Sequence, residues 1–274
     1  MRILMMEGNP LDVQEKARKV GVGTASEVYT RAIRFFDSQV EIDIVNAADG
    51  EKVPQGKSFS DYAGMVISGS SLRAFESTTE VTNQIDLLID FAKTGKPILG
   101  SCWGLQIAAI AAGGKVGPSE NGRELGVARK IHLTPEGTEH AFMQGKPIFY
   151  DAPCIHYDEV TELPKTATLL CGNKHSAIQG AIIPIENSEV WGVQYHPEFD
   201  VMQLRMLFEL YKKDMINQGF TNSEEDYNFF MKHIRTLEAD PDNKTSGWLL
   251  GIDQDILDGN IRGLEIKNWL QQLR

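Results

Sequence analysis

Pro97-Ile98-Leu99-Gly100-Ser101-Cys102-Trp103-Gly104-Leu105-Gln106 joins an apolar run to the start of a helical pattern. Pro97–Gly100 predicts a strand and Trp103–Ala112 a helix, which Gly113-Gly114 would end. Cys102 then stands on the bend between them, inside G-x-C-x-G, the thiol version of a nucleophile elbow. The flanking glycines would let the chain reverse sharply and lift the sulfur above the strand ends. The helix N-terminus beside it favours thiolate, the form that attacks a carbonyl. The alternative is a buried cysteine in a tight turn, since free cysteines are among the most buried residues.

Outward from this point the same alternation recurs. Arg2–Met6, Glu41–Val45 and Ala63–Ile67 read as strands, with Glu41–Val45 wetter on one face and suited to an edge. Ser26–Phe36 and Thr79–Lys93 carry apolar residues at helical spacing, and Gly95 ends the second. This βαβα order predicts an α/β fold, an open and mainly parallel sheet with helices on both faces. Farther on, Arg129–Leu133, Ala167–Cys171, Ala181–Pro184 and Val190–Tyr195 are strand candidates, followed by a helix over Val201–Ile216.

After Asn217 the pattern changes. Ser223 and Asp226 form a capping box before Tyr227, Phe230, Met231, Ile234 and Leu237 at helical spacing. Ala239–Gly247 reads as a polar linker, and one or two short helices follow. The expected division is a core domain over 1–217 and a helical C-terminal extension over 218–274. Its apolar stripe could meet a separate subunit, but amphipathic helices mostly cover their own core. The acidic runs Glu224–Asp226 and Asp253–Asp258 read as solvated faces.

Composition excludes several classes. The 274 residues carry 27 basic and 38 acidic side chains, a net charge of −11. Nucleic-acid binding needs a basic stripe, so none is expected. Hydrophobic residues make up 42 %, which argues against extensive disorder. No apolar run approaches the roughly 20 residues that cross a bilayer, and no export signal is seen, so no membrane association is expected. Three cysteines, Cys102, Cys154 and Cys171, give no disulfide framework and point to a reduced, cytoplasmic setting.

A thiol nucleophile needs a base and a group to orient it. Trp191-Gly192-Val193-Gln194-Tyr195-His196-Pro197-Glu198 offers both. A strand would deliver His196 at its C-terminal end, the edge where open parallel sheets build sites. Glu198 can reach back to the imidazole and fix its tautomer, as the acid does in a serine triad. Ile67-Ser68-Gly69-Ser70-Ser71 also ends a strand, and its small residues can aim backbone N–H groups at an oxyanion. Ser70 and Trp103 are the donors expected there; an ordinary glycine-serine turn is the alternative.

Together these motifs resemble the class I glutamine amidotransferases of the Cys-His-Glu type, in particular the glutaminase domain of GMP synthase and its stand-alone relatives. The resemblance runs from about Arg2 to Tyr211 and rests on Gly100–Gln106, His196-Pro197-Glu198 and Ser68-Gly69-Ser70. His156-Tyr157-Asp158-Glu159-Val160 is similar to the family's H-x-D-x-V segment near the glutamine pocket. The resemblance implies a flavodoxin-like sheet, with Cys102, His196 and Glu198 as catalytic residues and Gly69, Gln106 and His156 at the substrate. It implies hydrolysis of the glutamine side-chain amide through a γ-glutamyl thioester on Cys102, with no cofactor. A separate ammonia-acceptor subunit fits that activity. The alternative within hydrolases is a γ-glutamyl peptidase acting on γ-glutamyl peptides or conjugates.

The chain departs from the family in two places. Gly69-Ser70-Ser71 stands where the family often has Gly-Gly-Pro, and no Ser-Gly-Gly-x-Asp-Ser segment of an ATP-pyrophosphatase occurs. A reading from another class is a non-catalytic stress or sensor protein with a cysteine elbow. Such proteins usually lack the Gly-x-Gln and His-Pro-Glu that this chain has. Cys102, His196 and Glu198 could also ligate zinc, but their spacing fits no closed zinc pattern, so no metal is expected. His132, His140, His175 and His233 show no partner pattern, and Cys154 and Cys171 read as packing residues.

Overall fold

The computed structural model describes all 274 residues. Its strands are β1 (Arg2–Met6), β2 (Glu41–Val45), β3 (Met65–Ile67), β4 (Ile98–Ser101), β5 (Lys115–Pro118), β6 (Glu124–Leu133), β7 (Phe149–His156), β8 (Asp158–Glu162), β9 (Thr168–Gly172), β10 (Gly180–Ile185) and β11 (Ser188–Val193). Its helices begin with α1 (Leu11–Lys19), α2 (Ala25–Phe36), α3 (Thr79–Ala92), α4 (Trp103–Ala111), α5 (Pro135–Glu139), α6 (Val201–Leu210) and α7 (Lys212–Asn217). The C-terminal helices are α8 (Glu224–Ala239), α9 (Lys244–Leu250), α10 (Gln254–Leu257), α11 (Gly259–Arg262) and α12 (Leu264–Gln272). None is long and apolar enough to cross a membrane.

Nine strands form one open sheet in the order β2-β1-β3-β4-β11-β10-β9-β6-β7, and β5 pairs with β8 beside it. From β2 to β11 the pairing is parallel, and from β11 to β7 it is antiparallel. Side chains alternate across the parallel strands and separate two cores. Leu4, Met6, Met65 and Ile67 pack with Leu88 and Phe91 of α3 and Leu105 of α4. Ile3, Met5, Val66 and Leu99 pack on the other face with Tyr29 and Ile33 of α2 and Ile266 and Trp269 of α12. The strands reach both layers because each is buried on both sides, except β2, whose exposed residues suit its place at the edge.

The residues after Asn217 build no core of their own. Tyr227, Met231, Ile234 and Leu237 of α8 join Val28, Phe199 and Phe208 in a third cluster. The apolar stripe of α8 therefore docks on its own chain, while α12 covers the sheet itself.

Several elements differ from their sequence reading. The helix expected over Val201–Ile216 is two: Tyr211 leaves helical geometry (φ −99°, ψ 21°) between α6 and α7, and its ring covers Arg123. Asn243 caps α9 through a 3.0 Å bond from Ser246 N–H, so the expected linker turns helical after Asn243. β7 was hidden by Pro153, which removes a ladder donor. It is tolerated because β7 is an edge strand, paired on one side only with β6.

Candidate active site

Ser68-Gly69 follows β3, Cys102 follows β4, and His196 lies just beyond β11. These strands are adjacent and parallel, with Leu99 in register with Val66 and Trp191. All three segments therefore emerge at one carboxyl edge of the sheet.

Cys102 occupies the turn at φ 50°, ψ −94°, a sparsely populated conformation for a residue with a Cβ. Holding it there costs about 1–3 kcal/mol. The turn is fixed by a 2.7 Å bond from Cys102 N–H to Val193 O, tying it to β11. The flanking glycines serve a purpose different from the sequence reading. The positive φ belongs to Cys102 itself; Gly100 and Gly104 are needed because they touch. A Cβ on Gly100 would lie 2.8 Å from the Gly104 carbonyl carbon, and one on Gly104 would lie 3.1 Å from the Ile67 Cβ. They let α4 start directly over β3 and β4.

His196 is held from four sides. Its N–H donates to Pro153 O at 2.7 Å, and its ring stacks on Phe199 with centroids 4.0 Å apart and planes 4° from parallel. Nδ1 meets Glu198 Oε1 at 2.7 Å, and Ser101 Oγ donates to that same oxygen at 3.0 Å. Gly69 packs on the remaining side of the ring. Burial disfavours the imidazolium, but the Glu198 charge outweighs it, with Cys102 adding to the same effect, and the His196 pKa is raised to about 10. The Cys102 thiol donates to Ile155 O at 3.8 Å, and His196 Nε2 makes no hydrogen bond.

The Ser68–Ser71 loop is braced from β1's end. Gly8 N–H donates to Ser68 Oγ at 3.0 Å, and Asn9 Oδ1 accepts from Ser71 N–H at 2.9 Å. Trp103 contributes only its backbone to this edge: its indole is fully buried and donates to Gln84 Oε1 at 2.8 Å. Gln106, one turn into α4, donates its amide to Asp158 O at 2.7 Å and to Gln194 Oε1 at 3.3 Å. It therefore ties α4 to the start of β8. His156 Nε2 is committed to Glu124 at 2.9 Å, and Gln179 and Asn173 donate to the same carboxylate. Burial raises the Glu124 pKa, but these bonds, that from His156 foremost, bring it below the ordinary value.

Ser101, Phe199, Asn9 and Glu124 escaped the sequence reading. Ser101 sits beside Cys102 inside the first motif and Phe199 directly after the second, so adjacency is their signal; Asn9 and Glu124 act across the fold and leave no local signature. Cys154 and Cys171 are buried, and burial pushes both thiols up, Cys171 to about 12. His233 is not free of partners: its Nδ1 meets Ser246 Oγ at 2.9 Å.

A cysteine elbow, an imidazole held by a carboxylate, and a small-residue loop at one sheet edge are a known combination. Residues 23–213 match the family model of the class-I glutamine amidotransferases. The chain belongs to this family. This amidotransferase-family chain is 29 % identical over 280 residues to a γ-glutamyl-L-1-hydroxyisopropylamide hydrolase of a Pseudomonas species, covering 100 % of this chain and 93 % of that one. It is 32 % identical over 213 residues to γ-glutamyl peptidase 5 of Arabidopsis thaliana, covering 77 % and 80 % of the two chains. To the glutamine-hydrolysing GMP synthase of Bacteroides fragilis it is 31 % identical over 187 residues, 68 % of this chain but 33 % of the synthase. A glutamine amidotransferase structure from Thermotoga maritima superposes with a TM-score of 0.67 at 17 % identity, covering 100 % and 98 %, and so shares the fold. Family and relatives make this amidotransferase-family chain an enzyme of the cysteine-hydrolase type. That sets aside the non-catalytic reading.

Proposed function

We propose that the chain hydrolyses γ-glutamyl amides whose leaving group is an organic amine, with Cys102 as nucleophile. What carries this reading over glutamine hydrolysis is the extent of the similarity. The γ-glutamyl amide hydrolase is matched over nearly its full length, and GMP synthase over a third of its own. The expectation built on glutamine as substrate thus gives way to the peptidase alternative.

The chemistry follows from the site. Cys102 attacks the γ-carbonyl as thiolate. The Ser70 and Trp103 N–H groups receive the oxyanion of the tetrahedral intermediate. His196, protonated up to about pH 10, gives its proton to the departing amine. The C–N bond breaks, leaving a γ-glutamyl thioester and a neutral imidazole. Water, losing a proton to His196, then attacks the thioester; glutamate leaves and the thiolate–imidazolium pair is restored. Glu198 stabilises the imidazolium, and Ser101 and Phe199 keep ring and carboxylate in line. Gly69, Gln106 and His156 stand at the acyl half of the substrate, Gln106 and His156 by holding the β7–β8 turn. A free thiol nucleophile suits a reducing cytoplasm, where we place the enzyme.

Glutamine as substrate is the second reading, favoured by family membership, with ammonia as the leaving group and a separate acceptor subunit to use it. Purified protein offered γ-glutamyl dipeptides, γ-glutamyl alkylamides and glutamine separates the two. The first reading expects kcat/KM for a γ-glutamyl alkylamide or dipeptide to exceed that for glutamine by about tenfold or more. A preference for glutamine would overturn it. Cys102→Ala should end glutamate release from every substrate while leaving the fold intact.

A further inference from the structure

We propose that Glu265, on the C-terminal helix α12, is a positioning residue for His196, acting through the hydroxyl of Tyr195. The proposal rests on the reading of His196 as the base paired with Cys102.

Glu265 is fully buried, and so is the side chain of its partner Lys146, whose ammonium lies 3.0 Å from Glu265 Oε1. Lys146 also donates to Ile261 O at 3.0 Å, and its ammonium sits 4.8 Å from the Tyr150 ring centroid. The same Glu265 oxygen accepts from Tyr195 O–H at 2.5 Å. Tyr195 spends its one proton there, so the Tyr150 hydroxyl, 2.8 Å away, donates to it in turn. The carboxylate therefore sets the direction of a buried chain running from Tyr150 to Tyr195 to Glu265.

This arrangement is a poor stability device. Burying an ion pair costs much of what the charges gain by meeting, and apolar residues of the same volume often do as well. What such a network supplies is a fixed position: Glu265 Oε1 receives both the Tyr195 hydroxyl and the Lys146 ammonium, although Oε2 has no hydrogen-bond partner. Here the fixed residue is the one directly before His196. His196 leaves the ladder at this point, beyond the end of β11 at Val193. Its backbone N–H is anchored on Pro153 O and its carbonyl accepts from Phe199 N–H at 3.1 Å, while the side chain of Tyr195 packs in the core on the other side of the sheet. Glu265 lies outside residues 23–213, so the segment beyond the family match touches the residue that precedes His196.

The test compares Glu265→Gln, Tyr195→Phe and Asn268→Ala. Asn268 is the control: its side chain bonds Phe142 O and Gln144 O and docks the same helix without touching Tyr195. One readout is the low-field proton resonance of His196 Nδ1–H, which reports the bond to Glu198. The other is the kcat and KM for γ-glutamyl-p-nitroanilide. In Glu265→Gln and Tyr195→Phe the resonance should move upfield or broaden, and kcat should fall about tenfold with KM nearly unchanged. Asn268→Ala should lower the melting temperature and leave resonance and kcat as they were. A resonance unmoved in both variants, or moved equally in the control, overturns the proposal. The resonance is read without substrate, so it judges the proposal whether or not the probe is turned over.

Discussion

Gly69 stands so close to His196 that a Cβ on it would lie 3.0 Å from the ring's Cε1. The ring cannot retreat, since Phe199 is stacked against it and Glu198 holds Nδ1. Gly69→Ala should therefore displace the imidazole rather than be absorbed. The expected outcome is a fall in kcat of about tenfold or more, with the fold retained. Steady-state kinetics beside a thermal melt checks it; unchanged kcat would mean the loop yields instead.

Glu198 and Cys102 both raise the His196 pKa, against the burial that lowers it. Glu198→Gln keeps an acceptor near Nδ1 but removes the charge. Titration of labelled imidazole by NMR should give a His196 pKa in this variant below the value of about 10 in the wild type. Activity should drop by about 100-fold or more, because the imidazolium loses its counter-charge. Stability follows with a definite sign. A pKa raised from 6.5 to about 10 means stabilisation that is complete below pH 6.5 and lost as pH rises through about 10. The wild type should thus lose ground to Glu198→Gln across that alkaline window in urea titrations.

How much of this was legible in sequence depended on range. The elbow, the His-Pro-Glu turn and the alternation of strand and helix are local patterns, and they point to Cys102, His196 and Glu198, whose segments the fold brings to one sheet edge. The reason for Gly100 and Gly104 was not legible, because it lies in their contact with each other and with Ile67 across the β–α turn. Pro153 hid β7, since a proline inside a strand needs a side free of ladder bonds, and which side is free is a property of the whole sheet. The motif suggests a place at the substrate for Gln106; that its amide grips Asp158 O is set by a hairpin 52 positions away.

Glu124 stays ionised although it is buried, since His156, Asn173 and Gln179 all bond its oxygens. Its folded pKa lies below the ordinary 4.5, so its contribution is present above pH 4.5 and lost as pH falls through the folded value. Glu124→Gln should cost stability at neutral pH and progressively less on acidification. Urea midpoints at pH 7 and about pH 3.5 measure the difference, which should shrink at the lower pH. An equal gap at both would show that the carboxylate is not ionised in the folded protein.

Trp269 tests whether the C-terminal segment belongs to the core. It is fully buried among Tyr29, Ile33, Val66 and Leu99, and its ring would meet a Cβ on Gly64 at 2.9 Å. Trp269→Ala should therefore cost about 3–5 kcal/mol, the range for large aromatic residues removed from a packed interior. A chain ending at Asn217 loses Ile266 and Leu270 as well and leaves one face of β3 and β4 without its cover. It should be insoluble or fail to show a cooperative melt. A soluble, cooperatively melting 1–217 fragment would mean that α2 alone closes that face. Equilibrium urea unfolding of the point variant, followed by solubility and calorimetry of the fragment, distinguishes the two, because only a shared core makes the single substitution and the truncation fail in the same direction.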